Sequence, residues 1–97
     1  MKISELHVGM KSVNIEGKIV EVSEPRLVRS RMTGRMNRVA TAILTDDSGE
    51  INLTLWNEQI DAVKPENVVK IENGYVTEFR GQKQLNIGRY GSLKVLK

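Results

Sequence analysis

Ninety-seven residues, 39% hydrophobic and 28% charged with a formal net charge of +3, are the length and composition of one globular domain, 1–97, with a single core. There is no cysteine and only one histidine, His7, which excludes disulfides, thiolate sites and a histidine cluster, so no metal or other cofactor is expected. No stretch reaches the roughly 18 apolar residues of a membrane helix, so no membrane partner is expected and the default address is cytoplasmic.

Five segments rich in β-branched residues and bounded by turn residues read as strands. The first is Val13–Val22, followed by a long connection, 24–37, that holds Pro25, Gly34 and four arginines. The second, Val39–Thr45, and the third, Ile51–Trp56, are joined as a hairpin by Asp46-Asp47-Ser48-Gly49, whose adjacent carboxylates read as turn formers rather than metal ligands. Asn57–Val63 predicts one or two helical turns, ended by Lys64-Pro65-Glu66-Asn67. The fourth strand, Val68–Phe79, turns through Arg80-Gly81-Gln82 into the fifth, Gln84–Tyr90. An all-β chain with one short helix between strands three and four has the arrangement of the five-stranded Greek-key barrel called the OB-fold, in which the long first connection reaches over a ligand.

Alternation along the strands separates core from surface. Ile51, Leu53 and Leu55 form an apolar stripe, which turns Asn52, Thr54 and Trp56 outward. In the second strand Ala40, Ala42 and Leu44 fit the inside, with Val39, Thr41 and Ile43 outside. In the fourth, Val69 and Ile71 read as buried, yet Val76 has the opposite parity, which requires a bulge at Asn73-Gly74. Beyond that slip Tyr75, Thr77 and Phe79 share the outer face with Trp56. Three of the four aromatic residues then stand on one exposed surface, a waste of core material unless something stacks on them. Nucleobases suit such rings, at about 1–3 kcal/mol per base and with little regard to sequence.

The charge is segregated along the chain. Residues 25–45 carry Arg26, Arg29, Arg31, Arg35 and Arg38 and no acid; residues 46–78 carry eight acids against Lys64 and Lys70; residues 79–97 carry Arg80, Lys83, Arg89, Lys94 and Lys97 and again no acid. One positive side on a small fold is the electrostatic footprint of a polyanion site. Arg80, Arg89 and Lys83 are expected to meet phosphates at the rim of the aromatic face, with Arg31 and Arg35 foremost among the arginines of the long connection. No paired carboxylates, activated nucleophile or phosphate cradle is visible, so no catalytic residue is assigned and an enzyme is not expected.

The stretches Leu6-His7-Val8-Gly9-Met10, Gly17-Lys18-Ile19-Val20-Glu21-Val22 and Leu44-Thr45-Asp46-Asp47-Ser48-Gly49-Glu50-Ile51-Asn52-Leu53-Thr54-Leu55-Trp56 resemble archaeal single-stranded-DNA-binding proteins of the replication protein A type. The likeness continues through Val69-Lys70-Ile71-Glu72-Asn73-Gly74-Tyr75, Phe79-Arg80-Gly81 and Asn86-Ile87-Gly88-Arg89, and is shared with the simple OB subunit of the human sensor of single-stranded DNA. The resemblance implies base stacking on Trp56, Tyr75 and Phe79, and a role in DNA replication, recombination or repair beside other proteins of those processes, at the nucleoid. Where simple members of the family place a further aromatic in the last strand this sequence has Asn86, and where they continue into a tail it ends at Lys97. Two other readings use the same face: an RNA-binding domain of the tRNA-anticodon type, and a docking module for a protein of a replication complex.

Overall fold

The computed structural model describes residues 1–97, except for the side chain of Arg89. A 3-10 turn, Ile3–Glu5, is followed by β1 (Val13–Val22), β2 (Arg26–Arg29), β3 (Met36–Asp46), β4 (Gly49–Trp56), α1 (Glu58–Ala62), β5 (Val68–Phe79) and β6 (Gln82–Val95). The sheet runs β1-β5-β6-β4-β3-β2, and β1 also pairs with β3, which closes β1, β3, β4, β5 and β6 into a five-stranded barrel with β2 hanging from its edge. The OB-fold expectation is met, with α1 between β4 and β5 as the sole α-helix among the described residues.

Closure depends on β1 serving two neighbours. Its first part pairs with β5 and its last part with β3, the two ladders meeting at Lys18. Gly17 lies at that crossing, where a Cβ would sit 2.8 Å from the Thr45 carbonyl oxygen and 2.9 Å from the Leu44 side chain. A larger residue would therefore hold the two edges apart. The barrel is sealed on its other side by the parallel pairing of β4 with β6, Asn52 opposite Gln84 and Thr54 opposite Asn86.

The core is what the alternation requires: Ile51, Leu53 and Leu55, Ala40, Ala42 and Leu44, and Val69, Ile71 and Val76 are all buried. The β5–β6 register shifts between Glu72 and Gly74, the bulge that the parity of Val76 demands. Ile3 and Leu6 plug one end of the barrel and Ile60 and Val63 belong to the same cluster.

Three features depart from the sequence expectations. The connection 24–37 is not irregular: β2 pairs with a three-residue extension of β3 in an antiparallel hairpin, Arg26 opposite Val39 and Arg29 opposite Met36. Its four residues are all exposed, so it has no buried stripe to betray it, only a backbone ladder. The last strand continues past Tyr90 to Val95, because Gly88 and Gly91 carry the bulge rather than a turn and pairing resumes at Ser92 opposite Glu72. Val39 and Thr54, expected on the outer surface, have the expected parity but are buried, roofed by neighbours on that face rather than by the core.

Candidate nucleic-acid interface

Register alone lays out the outer face. Thr41, Thr54, Asn86 and Tyr75 follow one another across β3, β4, β6 and β5, and Ile43, Asn52, Gln84 and Thr77 form the adjacent row. Trp56 stands one step further along β4, beside Val39, and Phe79 one step beyond Thr77, beside Gln82. Tyr75 and Phe79 are four residues apart on β5, about 13 Å at a strand rise of ~3.3 Å, and Trp56 is two strands away, about 10 Å across the sheet, one row along from Tyr75 and three rows along from Phe79. The rings are 39% (Trp56), 41% (Tyr75) and 49% (Phe79) exposed; Trp56 and Tyr75 stand beside the buried Leu55 and Val76, and Phe79 ends β5 where the burial pattern has given way to the turn. They are therefore held by the barrel rather than by a loop.

Trp56 and Phe79 lie on the walls of one groove of about 250 Å³ that also contains Thr41, Thr54, Gln84 and Asn86. Its other wall comes from the hairpin, with Arg26 and Val28, and from Val39. Across this face the polar side chains are tied to one another: Asn86 Nδ2 donates to Thr77 Oγ1 at 2.9 Å, and Asn52 Nδ2 donates to Gln82 Oε1 at 3.1 Å. Trp56 is fixed from behind, its backbone N–H donating to Gln59 Oε1 at 3.0 Å. A larger cleft, about 380 Å³ over Ile43, Asn52 and Gln82, holds no ring and sets Glu50 against Lys83 on its wall, so it offers neither a stacking platform nor a net positive charge.

The hairpin is braced at its root. Asn57 accepts from the Arg38 N–H through Oδ1 at 2.9 Å and its own N–H donates to the Arg38 carbonyl at 2.9 Å. The Arg38 guanidinium makes a two-pronged contact with Asp61 on α1, at 3.2 and 2.7 Å, and this hydrogen bonding holds the Asp61 carboxyl below its ordinary range. Arg38 is thus spent on structure. Lys18 and Lys94 are likewise paired, with Glu66 and Glu72. Among the described residues Arg26, Arg29, Arg31, Arg35 and Arg80 have no carboxylate partner.

The remaining expected residues separate. Arg80 is at the β5–β6 turn with its Cζ 5.2 Å from the centroid of Phe79, a cation–π contact that leaves it at the groove's rim. Arg31 and Arg35 are exposed at the hairpin tip, which closes on itself through Ser30 N–H to the Arg35 carbonyl and Gly34 N–H to the Ser30 carbonyl, both at 2.9 Å. Lys83 shares the parity of Leu85 and Ile87, points away from the rings, and donates from Nζ to the Leu6 carbonyl at 2.8 Å. The side chain of Arg89 lies outside the described residues. Sequence reasoning passed over Arg26, Val28, Gln84 and Asn86 in the groove; the last two share the outward parity of the fifth strand and were legible there, whereas the first two needed the hairpin.

The profile of a family described as single-stranded DNA binding protein Ssb-like, OB fold, matches residues 4–95. The chain belongs to this family. Among Ssb-like relatives, the single-stranded DNA binding protein Ssb of Saccharolobus solfataricus is 38% identical over 87 residues, 90% of this chain and 57% of that protein. Replication factor A of Methanothermobacter thermautotrophicus is 29% identical over 98 residues, 97% of this chain but 12% of its own length. The chain thus spans little more than half of one relative and about an eighth of the other. The solution structure of a replication factor A related protein from Methanobacterium thermoautotrophicum superposes with a TM-score of 0.82 at 27% identity, covering 100% of this chain and 90% of that one.

Proposed function

We propose that this domain binds single-stranded DNA without strong sequence preference, stacking bases on Trp56, Tyr75 and Phe79 while arginines at the rim neutralise phosphates. The observation that carries the reading is the groove itself: two exposed rings, held by strands, enclose a floor of Thr41, Thr54, Gln84 and Asn86, with Arg26 on the wall opposite. The bases of a single strand can stack on such rings, whereas those of a duplex, already stacked on one another, cannot. Asn52, Thr54 and Thr77 meet base edges or sugars between the rings. Thr77 and Asn52 already satisfy neighbours on the same face, so they discriminate weakly among bases. Arg80, Arg31, Arg35 and Arg26 supply phosphate contacts, and Lys83 drops out because the Leu6 carbonyl holds it. The domain acts as a binding module rather than an enzyme, serving replication, recombination or repair beside other proteins of those processes.

Trp56 is the only tryptophan, so its fluorescence reports the site directly. Titration with oligo-dT, oligo-rU and a duplex of equal length is expected to quench it strongly with dT, less with rU and little with duplex. Equal quenching by rU would favour the RNA reading. No quenching by any strand would refute the assignment and leave the face to a protein partner.

A further inference from the structure

A second cleft adjoins the face at Tyr75. It has a volume of about 320 Å³ and is lined by Lys11, Ser12, Asn73, Gly74, Tyr75, Gly88 and Tyr90. We propose that it takes a further nucleobase of the same strand, flanked by Tyr75 and Tyr90, with Lys11 on the adjoining phosphate; this rests on the strand-binding reading above and extends it beyond the three rings.

Four observations support the assignment. Tyr90 is 82% exposed, the most exposed aromatic side chain of the protein, yet it sits in a strand on a cleft wall rather than at a loop tip. Tyr75 lines the cleft and pairs in register with Asn86, which lines the main groove, so the two sites lie side by side on one face and a strand leaving the groove meets the cleft next. Gly88 lets the Tyr75 ring lie close against the strand: a Cβ there would come to 3.3 Å from Tyr75 Cε1 and push the ring by a few tenths of an ångström.

The fourth concerns Lys11, which precedes β1. The segment before it is tied to β5 by Gly9 N–H to the Val76 carbonyl and Val76 N–H to the Met10 carbonyl, both at 2.9 Å, which brings Lys11 to the cleft mouth. Among the described residues Lys11 has no carboxylate partner. Its neighbour Ser12 has φ 56°, and Asn73 across the cleft has φ 56° as well. Left-handed backbone at a non-glycine residue is unfavourable and tends to gather at binding sites. The last strand, which lacks an aromatic at Asn86, thereby supplies one four residues later.

The inference is tested with a ladder of labelled oligo-dT from about 4 to about 16 nucleotides, the range that single OB domains cover. For Tyr90→Ala, fluorescence anisotropy is expected to show unchanged affinity at the short end and a loss of about fivefold to tenfold at the long end, while Tyr90→Phe binds like wild type. Lys11→Gln should lower the salt dependence by about 0.7 in slope, again only for the longer strands. Equal affinity of Tyr90→Ala and wild type at every length, or an equal loss at every length, overturns the proposal while undiminished Trp56 quenching leaves the strand-binding reading intact. Absence of binding by the wild-type protein at all lengths overturns both.

Discussion

The two walls of the groove are built on opposite principles. Trp56 follows Leu53 and Leu55, which are locked in the core, and Phe79 ends a strand that is anchored in the core through Val69, Ile71 and Val76. The facing wall belongs to a hairpin in which β2 buries nothing and which is fastened at its root through Asn57 and the Arg38–Asp61 contact. The barrel wall is preorganised, so stacking incurs little ordering cost when a strand arrives. The hairpin wall is free to follow the phosphates, with Arg31 and Arg35 at a tip that makes hydrogen bonds only within itself. Geometry resides in one wall and long-range attraction in the other.

The largest expected effect breaks the preorganised wall. Trp56→Ala removes one stacking platform, worth about 1–3 kcal/mol, so affinity for labelled oligo-dT should fall about 5- to 150-fold at any salt concentration. Thermal stability should fall only modestly, because the ring lies outside the core cluster and covers no more than its neighbour Val39 on the outer face. The double variant Arg31→Ala, Arg35→Ala acts on the adaptive wall and should lose affinity mainly at low salt, with the slope of log affinity against log salt reduced by up to about 1.4. A salt-independent loss on the hairpin, or a salt-dependent one at Trp56, would reverse the division of labour.

How far the two walls were legible in the sequence follows from the same contrast. The stripe of Ile51, Leu53 and Leu55 determines the direction of Trp56, and the misplaced parity of Val76 locates the bulge that aligns Tyr75, Thr77 and Phe79 with it. Burial leaves a periodic trace, and both of these elements are buried on one side. Arg26-Leu27-Val28-Arg29 leaves none, because its strand character comes from a partner ladder rather than from a core. The burial of Val39 and Thr54 depends on what stands over them from other strands, which no local pattern records. The parity that Lys83 shares with Leu85 and Ile87, and that sets it apart from the ring-bearing face, was legible in the sequence.

A smaller effect sharpens the comparison at Arg80, which belongs to the barrel wall yet carries charge. Phe79 pairs with Gln82, so Arg80 and Gly81 form a two-residue turn, with φ of 52° and 78°. Both values are positive, the geometry in which Asn-Gly is the favoured pair. A left-handed arginine costs about 1–2 kcal/mol, more than the ~0.5–1 kcal/mol recovered from its exposed cation–π contact with Phe79. Arg80→Asn should therefore raise stability by a few tenths to about 1 kcal/mol in urea unfolding while lowering the salt slope of strand binding by about 0.7. A variant that is both more stable and equally good at binding would mean that the arginine contributes nothing at the rim.

The smallest effect on binding is expected from the end of the barrel remote from both walls. Asp46 is half-buried; desolvation acts to raise its pKa, but hydrogen bonds from the Ser48 hydroxyl and the N–H groups of Ile3, Ser48 and Gly49 outweigh that and lower it from 3.8 to about 2. The unfolded chain takes up this proton near 3.8 and the folded chain resists until about 2. The carboxylate thus stabilises the fold fully above pH ~4, and the contribution disappears as pH falls toward 2. The shift corresponds to at most about 2.5 kcal/mol, which solvent screening at this turn reduces to about 1 kcal/mol. Asp46→Asn should unfold more easily than wild type at neutral pH, and the gap between them should narrow on acidification, followed by circular dichroism in urea. Strand binding at neutral pH should not change, because the Ile3–Asp46 and Ser4–Ser48 contacts hold the plug at the barrel's end and touch neither wall of the groove. A loss of binding in that variant would show that the plug and the groove are coupled through the core, and the two-wall account would have to include the barrel that joins them.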